Sequence, residues 1–323
     1  MNPRQLRKRI FDLYSDNLIK VQKVYDFKLG FETETGPQFI TDNLYVCPLC
    51  ADGFMENMLD QNKKNPLTLE DLPPKSVGGK AKILTCKKCN NTSGTQLDKL
   101  IINSLESESF LKLIPDSIVS TNLKVNNKYH LRSRLKIAHE DKYQFIFRVK
   151  QSPYYQACLD EMKKDWSNTK INVSFNIPNK SKTSIALLRI GYLLAFYYLG
   201  HRLLYEGNLH KIRETILNPE NNQLPHSGVF LLSDLSPISE GIHLLMEPKE
   251  YRSFFIVFKI KLKTYSKIIA VPIPGPGDQG WTNYTKLSQL DKGIQLNFRD
   301  FTSADYIENI DLVNAYDYIF INA

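Results

Sequence analysis

The stretch NLYVCPLCADGFMENMLDQNKKNPLTLEDLPPKSVGGKAKILTCKKCNN, residues 43–91, holds four of the chain's five cysteines as two pairs, Cys47-x2-Cys50 and Cys86-x2-Cys89. Zinc takes four thiolates in a tetrahedron with Zn–S near ~2.3 Å. Each CxxC brings two sulfurs to one side of an ion through a tight turn. The 35 residues between the pairs must then fold back to complete the set. A redox dithiol needs only one CxxC, so two pairs point to a structural Zn²⁺ on Cys47, Cys50, Cys86 and Cys89. With all four positions filled by protein, such an ion is a folding element and not the reagent. Cys158, the odd one, reads as a half-buried thiol.

Around the cysteines the local pattern orders itself as knuckle, hairpin-like loop, knuckle and helix. NLYVCPLC reads as a short strand ending in a turn. LTLEDL and AKILTC are two β-like runs, with Pro73, Pro74, Gly78 and Gly79 forcing a loop between them. Past Cys89, Leu97, Leu100, Ile101, Leu105 and Leu111 keep helical spacing. Thr95 followed by Asp98 resembles a capping box.

The composite CPLC, then LTLEDLPPKSVGGK, then LTCKKCNN resembles the HNH endonucleases of the four-cysteine treble-clef kind. It covers about residues 44–105, less than a quarter of the chain. The resemblance implies a ββα unit that carries a catalytic divalent ion beside the structural zinc. On this sequence the metal-binding acid is Glu70 and the residue after the last cysteine is Asn90, so Glu70 and Asn90 are the expected Mg²⁺ or Mn²⁺ ligands. Asp71 stands where the family carries its histidine base. A free aspartate near 3.9 is a weaker base than a histidine near 6.5 and a better ligand for a hard cation. Residues 1–129 contain no histidine, so a histidine base must come from His130, His139, His201, His210, His226 or His243. Three readings stay open. Glu70, Asp71 and Asn90 hold a metal whose bound water attacks a phosphodiester, or a distant histidine completes the site, or catalysis is lost and the module only binds. Lys75, Lys80, Lys82, Lys87 and Lys88 crowd the same segment, and on a ββα nuclease Lys75, Lys80, Lys87 and Lys88 would meet the phosphate backbone.

Working outward, residues 3–24 keep a rough helical beat through Leu6, Ile10, Leu13 and Leu18. Residues 116–183 mix polar, basic and strand-like segments: NLKVNNKYHLRSRLK is a basic run, and YQFIFRVKQ and INVSFNIP alternate like strands. SIALLRIGYLLAFYYLGHRLLY reads as one or two buried helices. GVFLLSD, GIHLLMEP, FFIVFKIKL and KIIAVPIP return to strands. Gly275-Pro-Gly-Asp-Gln-Gly280 matches GxGxxG formally, but no clear helix opens after it.

The chain has 323 residues, 42% hydrophobic and 24% charged, with a net charge of +8. That mix excludes wholesale disorder and low-complexity classes, and it tolerates a polyanionic partner. The longest apolar run, Ile190 to Gly200, is too short to span a bilayer. The expectation is an α+β protein: a helical segment at 1–43, a zinc treble-clef (ββα-metal) module at 44–115, and a larger mixed α+β domain at 116–323 for recognition or scaffolding. The expected function is a metal-dependent endonuclease on DNA, or less simply RNA, in a cytoplasmic and, by family analogy, bacterial defence or restriction setting, with no membrane role. The alternative is a catalytically silent zinc module that binds nucleic acid or a partner protein.

Overall fold

The computed structural model of the chain describes residues 1–27, 29–33, 36–40, 43–138, 142–146, 152–205, 207–221, 224–225, 229–232, 238–275, 277, 279–290, 295–302, 305–309 and 311–312. His139 and His226 lie outside the described residues. The fold is mixed α+β, built of helices and antiparallel sheets, in two units. One comprises Met1–Asp98, Lys180–Ile260 and Lys267–Ala323; the other comprises Lys99–Asn179 with Lys261–Ser266. This division differs from the expected boundaries: the cysteine segment shares a unit with helices and strands beyond residue 180. The next stretch, from 99 to 179, stands as a unit of its own.

In the first unit, helix α1 (Pro3–Val24) starts from Asn2, whose side chain accepts from the Gln5 amide while Gln5 returns a bond to the Asn2 amide. Such reciprocal capping satisfies two otherwise orphaned donors. The helix buries Ile10, Phe11, Tyr14, Leu18 and Val21. Hairpin β1 (Leu29–Thr33) and β2 (Gly36–Ile40) follows, then β3 (Leu44–Val46) with β4 (Gly53–Met55), and then β5 (Leu67–Leu72) with β6 (Lys80–Cys86). Helix α2 (Lys87–Cys89) runs through a π turn at Asn90–Gly94 into α3 (Thr95–Leu111). The backbone is thus helical from Lys87 onward, with α3 itself beginning at Thr95.

In the second unit, Ile118–Val125 is β7, Tyr129–Ile137 is β8, Tyr143–Ile146 is β9, Pro153–Lys164 is α4 and Ile171–Ser174 is β10. The strands pair antiparallel in the order β10-β7-β8-β9. The basic run NLKVNNKYHLRSRLK is most of a β-hairpin. Its turn falls at Asn126 and Asn127, both at positive φ, which Asn tolerates and a tight hairpin turn requires. Val119, Leu123, Val125, Tyr129, Leu131, Leu135 and Ile137 alternate into the core against α4 and Phe110. Cys158 is fully buried there beside Met162, more deeply than its local sequence indicates.

Back in the first unit, α5 (Lys180–Leu199) buries thirteen of its residues and ends at Gly200, whose φ of +62° breaks the helix before α6 (Arg202–Tyr205). Helix α7 (His210–Leu217) follows. The five-stranded sheet has the order β11-β14-β13-β12-β15, from Phe230–Leu232 (β11), Gly241–Glu247 (β12), Ser253–Lys261 (β13), Ser266–Pro274 (β14) and Asn297–Asp300 (β15). Helix α8 (Gly280–Ser288) precedes β15. Among the described residues no helix is long and apolar enough to cross a membrane.

Candidate metal centre and the acidic hairpin beside it

The two CxxC turns are held by their own backbones. The Cys47 amide donates to Asp52 O and the Ala51 amide donates to Cys47 O, closing the first knuckle between β3 and β4. The second knuckle joins β6 to α2, where the Cys89 amide donates to Cys86 Sγ at 3.4 Å. The Cys86 amide donates to Cys47 Sγ, also at 3.4 Å, which ties one knuckle to the other. All four sulfurs lie within 4.8 Å of one another, and Cys50 Sγ stands 3.9 Å from Cys86 Sγ. A tetrahedral zinc would set sulfurs about 3.8 Å apart. Cys47, Cys86 and Cys89 are buried and no disulfide forms. Contact with the other three thiols, Cys47 first, pulls Cys86 well below the ordinary thiol range, whereas the hydrogen bond with Cys47 and then Cys86 pushes Cys50 up. Four sulfurs this close cannot all carry charge unless a cation lies among them. The cluster can thus hold a metal ion, and zinc suits it.

Aromatic and polar groups brace this cage from behind. Tyr45 donates to Leu84 O at 2.6 Å and accepts from the Leu84 amide at 3.1 Å, fastening β3 to β6. Tyr192 of α5 donates to Pro48 O, inside the first knuckle, at 2.7 Å. His201 Nε2 accepts from the Val46 amide at 3.3 Å, and its ring lies edge-on to Tyr14, Tyr45 and Phe196. Burial drives its pKa down to about 3. This histidine serves the cysteine core, and none of these contacts involves Asp71.

Glu70 lies on β5 opposite Ile83 of β6, and the next pair is Asp71 with Ala81, so Lys82 is the extra residue of a bulge. Glu70 is 4% exposed. Its Oε2 accepts from Thr85 Oγ1 at 2.9 Å and its Oε1 pairs with Arg189 Nη2 at 2.7 Å. Arg189, from the middle of α5, is fully buried and also reaches Asp98 at 3.4 Å. Asn90 turns its amide to Thr68 Oγ1 and Leu69 O of β5, at 3.0 and 3.3 Å. Gly94 permits this gathering, since a Cβ there would stand 3.2 Å from Asn90 Oδ1 and 3.4 Å from Arg189 Nη2. Asp98 is pushed up to about 6, by desolvation first and by the charges of Glu70 and Asp71, against the pull of Arg189. Asp71 is half-buried and raised by desolvation, with Lys75 opposing.

Arg189 thus joins Glu70 to Asp98, with Asn90 bonded to the β5 residues next to Glu70 and Asp71 close enough to act on Asp98. Both Glu70 oxygens are engaged, and among the described residues only the four cysteines bring three or more His, Cys, Asp or Glu ligand atoms together. Arg189 and Asp98 escape sequence reading because neither is linked to Glu70 by local spacing. The one available signal for Arg189 is a lone cation in an apolar helix, which a buried carboxylate must answer. Lys75, Lys80, Lys87 and Lys88 are all exposed. Lys87 and Lys88 line a cavity of about 430 Å³ with Lys64, Asn65 and Asn91. No protein-family model, curated protein or solved structure matches the chain.

Proposed function

We propose that the ion is zinc, that residues 44–115 contain an HNH-like treble-clef module, and that the chain acts on DNA as an endonuclease. The observation that supports this reading is the packing of Glu70, Asp71 and Asn90 on a hairpin and helix start clamped by four converging sulfurs. Asp98, pushed up to about 6 by desolvation first and with 30% of its side chain exposed, is a carboxylate suited to accept a proton where the family's histidine is missing. Arg189 orients Glu70.

A second reading, a zinc module that binds nucleic acid or a partner protein without cutting, is favoured by the Glu70–Arg189 pair. A hard cation at Glu70 would have to displace a guanidinium that has no water to retreat into, and breaking a buried pair costs about 3–5 kcal/mol. Incubating the protein with supercoiled plasmid and Mg²⁺ or Mn²⁺ separates the two. Nicking that disappears in Asn90→Ala and Asp71→Ala while their melting temperatures match the parent's supports the nuclease. Salt-sensitive DNA binding without nicking in any metal supports the silent module.

A further inference from the structure

The chain's positive charge is not spread evenly. Lys99–Asn179 with Lys261–Ser266 carries 15 Lys and Arg against 8 Asp and Glu, a net +7 of the chain's +8. In the four-stranded sheet of that unit, Cα partners are Ser120 with Arg134, Asn122 with Arg132, and Lys124 with His130. Residues directly opposite on antiparallel strands share a face. Their neighbours in sequence are buried, so this polar set faces outward. Along β8, His130, Arg132, Arg134 and Lys136 stand at every second residue, a row spanning roughly 20 Å. Lys99, Asn103 and the acid Glu106 of α3 join Ser120, Asn122, Arg132 and Arg134 around a groove of about 630 Å³.

Two of these cations are already answered: Arg134 by Glu106 at 3.5 Å and Lys136 by Asp116 at 2.5 Å. Lys99, Lys124 and Arg132 form no ion pair among the described residues. Gln144 and Ile146 of β9 and Asn172 and Ser174 of β10 share the face. No Phe, Tyr or Trp occupies its described strand positions. A surface that recognises unpaired bases needs aromatic rings to stack on them. A surface of evenly set cations and small amides suits a regular row of phosphates.

We infer that the outward face of β7–β8, with the groove beside α3, grips the phosphate backbone of duplex DNA without reading its sequence. This deepens the DNA reading above and rests on it. The hairpin at Glu70 and this sheet are then separate parts of one protein, the second supplying affinity.

The test is fluorescence anisotropy of the full chain with a fluorescein-labelled 24-base-pair DNA duplex, titrated from 50 to 200 mM salt. The variants are Lys99→Gln/Lys124→Gln/Arg132→Gln and, separately, Lys75→Gln/Lys80→Gln/Lys87→Gln/Lys88→Gln. The substituted side chains of the first are surface groups, so its melting temperature should match the parent's. The inference predicts at least a tenfold loss of affinity in the first variant at 100 mM salt. Its log–log salt slope should be shallower by about 2–3, as expected for three lost phosphate contacts. The second variant should lose less. If the first variant binds like the parent while the second loses binding, the sheet face is overturned and the DNA reading stands. A parent that binds no nucleic acid at 50 mM salt overturns both, and a parent that prefers a 24-nucleotide single strand overturns the duplex assignment. Loss in the first variant without plasmid nicking keeps the inference and removes only the nuclease.

Discussion

Arg189 of α5 and Glu70 of β5 meet at 2.7 Å with both side chains withdrawn from water, although 119 residues separate them. The pair ties the acidic hairpin beside the cysteine cage to α5, thirteen of whose residues are buried. Charges in such a place are tolerated only when matched, so removing either one alone is the severe change. Arg189→Met and Glu70→Met should each lower the free energy of unfolding by about 3–5 kcal/mol. The combined Arg189→Met/Glu70→Met variant should recover much of that. Urea unfolding of the four proteins checks it, and additive losses in the double variant would show that the two charges do not depend on each other.

His201 gives stability a lower pH limit. Its folded pKa, about 3, lies below the ordinary 6.5 because burial excludes the charged ring. A depressed basic group favours the native state fully above 6.5, and that contribution is lost as pH falls toward 3. Stability should therefore drop between pH 6.5 and 4 with a component of about 1.4 kcal/mol per pH unit from this one proton. The His201 ring resonances should stay those of a neutral imidazole down to pH 4. A midpoint near 6.5 would contradict the burial argument.

Asp98 works in a neighbouring window with the opposite sign. Its folded pKa is raised to about 6, so the native state prefers it protonated. That contribution is complete below about 4 and is lost as pH rises through 6. Asp98→Asn should thus stabilise the protein by about 1 kcal/mol at pH 8 and change little at pH 4. A loss of stability at pH 8 would mean that attraction to Arg189 outweighs desolvation.

Tyr192 couples the buried helix to the first cysteine knuckle. Tyr192→Phe keeps the ring but leaves Pro48 O without its 2.7 Å donor. The expected cost is about 1–2 kcal/mol. Zinc should pass to a competing chelator faster than from the parent. An unchanged transfer rate would confine Tyr192 to a packing role.

Much of the candidate centre is legible from short spacings. The two CxxC pairs predict the sulfur cluster, and LTLEDL and AKILTC become β5 and β6 with Glu70 and Asp71 on the first. The helix read over 3–24 starts at Pro3, where Asn2 and Gln5 form a reciprocal cap, and ends at Val24. What escaped depends on partners far away in the chain. Arg189 reads locally as the edge of an apolar run, and only the packing of α5 beside β5 makes it the counter-ion of Glu70. Likewise, the charges of Lys124, Arg132, Arg134 and Lys136 masked the alternation of Leu123, Val125, Leu131 and Leu135 that marks a hairpin.

Metal content, measured by mass spectrometry on the purified chain and on Cys47→Ser and Cys89→Ser, tests most directly whether two distant turns close on one ion. The account predicts one zinc per chain, lost or greatly weakened by either substitution, with unfolding promoted by chelators. A parent chain that carries no transition metal, yet is folded and indifferent to chelators, would contradict it.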